Sequence, residues 1–203
     1  MEKVIKYFFI CVAIIGGLLI TSAIVFSFMF FNAFGGFDKD YSVEDLKEEY
    51  VAKEKEIDDL ILYYHSIKSP NKTIEIEFKD DEVLGRLLVH PKNDSLKYYQ
   101  QWDINVEGLQ NTAIGKELGW TENELKTLKE KLDKANCISI EDGEPVKVGF
   151  TRSGLGMYSF NVFQNKESNR NKYNDGCQYI LVNNKLALEY GGGAIGSQCF
   201  PNN

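Results

Sequence analysis

The sequence predicts an α+β protein: one N-terminal transmembrane helix, a charged juxtamembrane helix, then a mostly antiparallel sheet with helices packed on one face. Three observations carry this prediction. Residues 7–37 contain no charged residue, in a chain that is 26% charged overall. Helical spacing returns over residues 42–69 and 121–135. Short alternating runs bounded by turn residues fill most of what is left.

The densest apolar stretch covers residues 8–31. As a helix it is about 36 Å long, against a hydrocarbon core of about 30 Å. A cleaved signal peptide needs a shorter apolar region ending at small residues. Thr21-Ser22-Ala23 offers such a site, but eight mostly apolar residues follow it, which favours an uncleaved anchor. Cys11 lacks the small preceding residues of a lipoprotein signal and reads as an apolar cysteine. Lys3 and Lys6 precede the span, so the expected orientation is N-terminus in the cytoplasm and C-terminal domain outside. Ala13, Gly17 and Thr21 fall on one helical face, where a second copy can approach closely enough for a weak homodimer.

Asn32 to Phe37, with Gly35-Gly36, reads as a short exit from the membrane. Ser42 and Asp45 form a capping box that opens the juxtamembrane helix. Val43, Leu46, Tyr50, Ile57, Leu60 and Tyr64 give it one apolar stripe, interrupted at Lys53. That stripe packs on the domain below or serves a dimerising stalk. Ser69-Pro70-Asn71 ends it. The expected organisation is therefore 1–37 anchor, 38–69 juxtamembrane helix and 70–203 globular domain.

Residues 72–79 alternate strictly, with Ile74, Ile76 and Phe78 on one face. Asp80-Asp81 turns, residues 82–90 return, and Pro91 stops that strand. Trp102, Ile104 and Val106 mark a third strand, while residues 96–101 fit no single period. Thr121 and Glu124 cap a second helix whose stripe is Leu125, Leu128 and Leu132, with Asn136 suited to its left-handed end. Strands follow over 137–140, 146–150 and 157–163, separated by Asp142-Gly143 and Ser153-Gly154-Leu155-Gly156. Residues 165–176 read as a polar loop. The last two strands, 177–182 and 185–190, flank Asn183-Asn184, a two-residue hairpin signal.

Charge and composition exclude several functions. Setting Lys3, Lys6 and Glu2 aside leaves 21 basic and 29 acidic residues, a charge of −8 on the part after the anchor. This argues against nucleic acid and against anionic lipid headgroups. Only three arginines occur, Arg86, Arg152 and Arg170.

No motif for catalysis, cofactor or metal emerges. Gly191 to Gly196 matches G-x-G-x-x-G, but too few residues follow for the helix and acidic partner that dinucleotide binding needs. It reads as a close-packed turn. His65 and His90 are the only histidines and form no ligand pair. Cys137, Cys177 and Cys199 carry no catalytic signature. The clusters Asp80-Asp81-Glu82 and Glu141-Asp142-Gly143-Glu144 fall in expected turns and read as solvated. Two sequons, at Asn71 and Asn93, matter only in a eukaryotic secretory pathway.

Four residues stand out. Cys177 and Cys199 are the expected disulfide, because glycines after Tyr190 let the tail fold back along the sheet, with Cys137 then a buried thiol; Cys137–Cys177 and Cys137–Cys199 are the alternative pairings, and an inward-facing domain would have no bridge. Arg152, in a tight turn with Ser153 and Gly154, is a candidate for holding an anion or a partner. Tyr190, in an aromatic-rich half, is a second candidate for a partner surface. The functional expectation is a membrane-anchored domain that binds another envelope protein as partner, scaffold or inhibitor. The alternatives are an envelope hydrolase with a site assembled from scattered residues, and a cytoplasm-facing regulatory domain. Shifted carboxylates in a cleft favour the hydrolase, and an exposed apolar-aromatic patch favours the binder.

Overall fold

The computed structural model describes residues 2–33, 38–93, 97–192 and 196–200. Most of the expected membrane exit, two residues of the second sequon and the middle of the glycine tail lie outside them.

Helix α1 spans Glu2–Ala33, and within it Ile14–Phe31 forms an 18-residue apolar window. By length and composition it is able to cross a membrane. Helix α2 (Val43–Ile67) begins at the Ser42 capping box, with Ser42 and Asp45 exchanging side-chain and backbone hydrogen bonds. Leu46, Tyr50, Ile57, Leu60, Ile61 and Tyr64 are buried on one stripe. That stripe lies in the domain's own core.

Eight strands form one open antiparallel sheet in the order β3-β2-β1-β4-β5-β6-β8-β7. They are β1 (Lys72–Phe78), β2 (Val83–Pro91), β3 (Tyr99–Asn105), β4 (Ser139–Glu141), β5 (Val146–Ser153), β6 (Gly156–Val162), β7 (Tyr179–Leu181) and β8 (Leu186–Gly191). Two further helices, α3 (Ala113–Leu118) and α4 (Glu122–Lys134), lie between β3 and β4. The Thr121–Glu124 capping box starts α4, and Asn136 with φ 54° follows its end.

Alternation divides the sheet into two faces. Ile74, Ile76, Leu87, Val89, Ile140, Val148, Phe160 and Leu188 point into the core and are buried beneath α2 and α4. Polar ties fix this layer. Tyr64 donates to Ile74 O at 2.7 Å, Trp120 Nε1 donates to Ile67 O at 2.9 Å, and Tyr63 donates to Glu124 O at 3.2 Å. The α+β architecture therefore stands, with α2 as its central helix.

Three local readings need correction. Helix α3 was not expected; Thr112 caps it by accepting from Gly115 N, and Gly119 ends it at φ 80°. The last hairpin closes through three residues, Asn183 to Lys185, rather than two. Leu181 faces Ala187, and the Asn183 side chain accepts from Lys185 N and Leu186 N. Arg152 lies in β5, opposite Met157, because a bulge between Gly149 and Thr151 lets that strand continue to Ser153.

The tail reverses after β8. Gly192 N donates to Gly196 O at 2.8 Å, Ser197 bridges to Gly191, and Phe200 N donates to Cys177 O at 3.0 Å. Gly191 has φ 128°, and a Cβ there would meet Gln198 N at 2.8 Å, so glycine is required for the tail to lie this close. The close packing expected of the glycine motif holds at Gly191, while residues 193–195 of the motif lie outside the described residues.

Candidate functional site

The sheet face away from α2 and α4 carries a continuous polar pattern. One cross-strand row reads Trp102, Arg86, Glu77, Ser139, Gly149, Ser159, Glu189, Tyr179, from β3 to β7. The neighbouring row reads Gln100, Leu88, Glu75, Glu141, Lys147, Asn161, Ala187, Leu181. Small residues in the middle of the first row leave a cleft of about 270 Å³. Glu75, Arg86, Trp102, Glu141, Lys147 and Arg152 are among its lining residues.

The charges on this face are paired, with one exception. Arg152 holds Glu77 with two parallel hydrogen bonds, Nε to Oε1 and Nη2 to Oε2, both 2.6 Å. Arg86 Nη1 lies 2.8 Å from Glu75 Oε1, and its guanidinium sits 5.2 Å from the Trp102 ring centre. Lys147 Nζ lies 2.7 Å from Glu189 Oε1, while Asn161 donates to Glu189 Oε2 at 2.9 Å. Glu141 is left over. Lys147 is its direct cross-strand neighbour in β5, yet that ammonium is committed to Glu189. Among the described residues Glu141 receives no hydrogen bond and forms no ion pair.

Burial dominates the electrostatics of the two central carboxylates. It pushes Glu75 above the ordinary glutamate range, with the Glu141 charge adding to the effect and Arg86 and Lys147 opposing it. It pushes Glu141 up as well; Lys147 and Arg86 oppose this, and Glu189 and Asp142 reinforce it. A proton is therefore held more readily here than on an exposed carboxylate. Two polar atoms are buried without a partner on the same face, Arg86 Nε and Ser159 Oγ.

The residues singled out from sequence are distributed unevenly around this cleft. Arg152 lines it, but the anion in its fork is Glu77 of the same chain. Tyr190 lies on the opposite face, stacked on Tyr158 with ring centres 4.2 Å apart. Cys177 and Cys199 are joined by a disulfide away from the cleft lining, with Cα atoms 4.2 Å apart. Cys137 is buried, and burial pushes its thiol up to about 12. His90 Nδ1 lies 2.8 Å from Lys97 O. Among the described residues no group of three His, Cys, Asp or Glu side chains is placed to hold a metal ion.

Asp80-Asp81-Glu82 is the exposed turn expected between β1 and β2, whereas the second acidic cluster resolves differently from its expectation. Glu141 belongs to β4. Asp142 is almost fully covered and pairs with Lys68 at 2.5 Å. Glu144 gathers Gln164 N, Asn165 N and Ser168 Oγ, and so closes the polar loop after β6. Sequence reasoning missed Glu75, Glu77, Glu141, Lys147 and Glu189 as a set. The available signal was that acids and bases recur at strand positions opposite the core face, as at Glu75 and Glu77 in residues 72–79.

No family model matches this chain, and no curated protein or solved structure matches it.

Proposed function

We propose that this is a single-pass membrane protein, N-terminus inside and C-terminal domain outside, that acts by binding another envelope protein. Helix α1, with Lys3 and Lys6 ahead of its apolar stretch, supports the anchor and its direction. The Cys177–Cys199 disulfide suits an oxidising compartment. The observation that carries the binding reading is the helix-free sheet face. It is charged, part-buried and cleft-forming, with an exposed indole at one end and one carboxylate left unpaired. Its ion pairs position side chains without closing the face to a partner. The test is affinity capture from native membranes with the full chain, wild type against Glu141→Gln. A partner retained by wild type and lost by the variant supports the reading. Equal capture, or none, overturns it.

One observation favours a second reading, an envelope hydrolase. Glu75 and Glu141 face each other in register in a cleft, and both have proton affinities shifted from the ordinary glutamate range, a mark of acid–base sites. Hydrolysis of envelope glycans or peptides by wild type, abolished by either Glu75→Gln or Glu141→Gln, would replace the binding reading.

A further inference from the structure

We infer that the cleft takes an organic monocation, an ammonium or guanidinium group on a short stem, with Glu141 as its counterion and Trp102 as its aromatic wall. This deepens the binding reading above and rests on it for the identity of the partner.

The charges on this sheet face, those lining the cleft and the carboxylates paired with them, set the ligand's sign. Glu75 and Glu77 come from β1, Glu141 from β4 and Glu189 from β8. Against these four carboxylates stand Arg86 from β2 and Lys147 and Arg152 from β5. Each cation already has its own carboxylate, so the face is one positive charge short, and the shortfall falls on Glu141. A divalent ion overshoots that deficit among three fixed cations. A monocation matches it.

One further observation points to a ligand larger than a bare ion. Trp102 is 54% exposed although it lines the same cleft. Its strand lies three positions from β4, about 14 Å at the backbone. A ligand touching both Trp102 and Glu141 therefore needs a stem, as a lysine or arginine side chain or an alkylamine has. Indole beside carboxylate is a favourable combination for such a cation.

Trp102 also supplies the readout. The chain has two tryptophans, and the other, Trp120, is buried. The full chain in nonionic detergent is titrated with N-acetyl-lysine methylamide, N-acetyl-arginine methylamide and the neutral norleucine analogue, with potassium chloride at matched ionic strength. The expected result is a saturable change in tryptophan emission with a basic probe only. Glu141→Gln, which keeps the side-chain shape, weakens it at least tenfold. No saturable change, an equal response to norleucine analogue or salt, or an unaltered Glu141→Gln titration overturns the inference. Zero-length carbodiimide crosslinking in native membranes separates the sources. An adduct joining Glu141 to a lysine of another protein identifies a protein partner. Probe binding without such an adduct leaves the inference standing with a free amine as ligand, and removes the protein-partner reading.

Discussion

Glu75 and Glu141 stand directly opposite each other where β1 pairs with β4. Like charges in opposed cross-strand positions destabilise a sheet when both are ionised. Burial raises the folded-state pKa of each above its unfolded value. The folded state therefore binds protons that the unfolded chain has already released. Stability is highest below the unfolded glutamate pKa and falls as pH rises through the raised folded value. Replacing Glu141 by Gln removes its own share of this loss and its repulsion of Glu75, leaving the part due to burial of Glu75. The expected outcome is a higher melting temperature than wild type at pH 7, converging with wild type near pH 4. Thermal melts of both proteins across that range check it. A variant equally stable at every pH would show that the pair carries no repulsion.

Arg152 and Glu77 form the opposite case, a bidentate pair whose carboxylate is largely buried. Arg152→Ala leaves that carboxylate without the one ion-pair partner it has among the described residues. The expected cost is roughly 2–3 kcal/mol, reduced from that of a fully buried pair because Arg152 keeps solvent access. Arg152→Lys recovers only part of it, since an ammonium does not supply the planar fork. Chemical denaturation of the two variants tests both statements. Full rescue by lysine would mean that charge alone matters.

The cleft floor depends on Gly149. A Cβ at that position would lie 2.0 Å from Ser139 Oγ and 2.4 Å from Met157 Sδ. Ser139 is able to rotate and Met157 is flexible, so the fold survives at a cost of about 1–3 kcal/mol. Gly149→Ala is expected to lower the melting temperature and to shift Met157 methyl resonances. An unshifted methyl signal would show that Met157 does not lie over this floor.

The core side of β1 makes a simpler claim. Ile74, Ile76 and Phe78 are buried on the face beneath the helices, as strict alternation in the sequence implies. Phe78→Ala is expected to cost about 3–5 kcal/mol. An unchanged denaturation midpoint would contradict that burial.

What was legible in this chain was local. Both capping boxes are written within four residues, at Ser42 and Thr121, and both form. Alternation in residues 72–79 gives a strand and its two faces. What was not legible was pairing at a distance. Nothing near Glu75 indicates that β1 lies between β2 and β4, so its carboxylate's encounter with Glu141 has no sequence signature. Turn chemistry misled in two places. Asp142-Gly143 drew Glu141 into a turn, although β4 extends to include it. Ser153-Gly154 drew Arg152 into a turn, although the bulge after Gly149 keeps it in β5. Charged residues on strands looked like solvated surface because no sequence period distinguishes a solvated sheet face from a cleft.

The tail joins compartment to stability. Phe200 is buried against Tyr158 and Tyr190, with ring centres 6.0 Å and 5.9 Å away. The Cys177–Cys199 bond fixes the residue before it. This bond spans 22 residues, so in the chain-entropy model its loss costs roughly 3 kcal/mol. Cys199→Ser should therefore lower stability by about that amount and loosen Phe200. Reduction of wild type should produce the same loss, and reduction of Cys199→Ser should produce no further loss, because Cys137 is already a thiol. Peptide mapping of protein from native membranes, without reductant, should recover residues 177 and 199 in one crosslinked pair. Recovery of Cys137, Cys177 and Cys199 all as thiols would remove the bond under native conditions. It would also remove the strongest chemical support for placing this domain outside the cytoplasm.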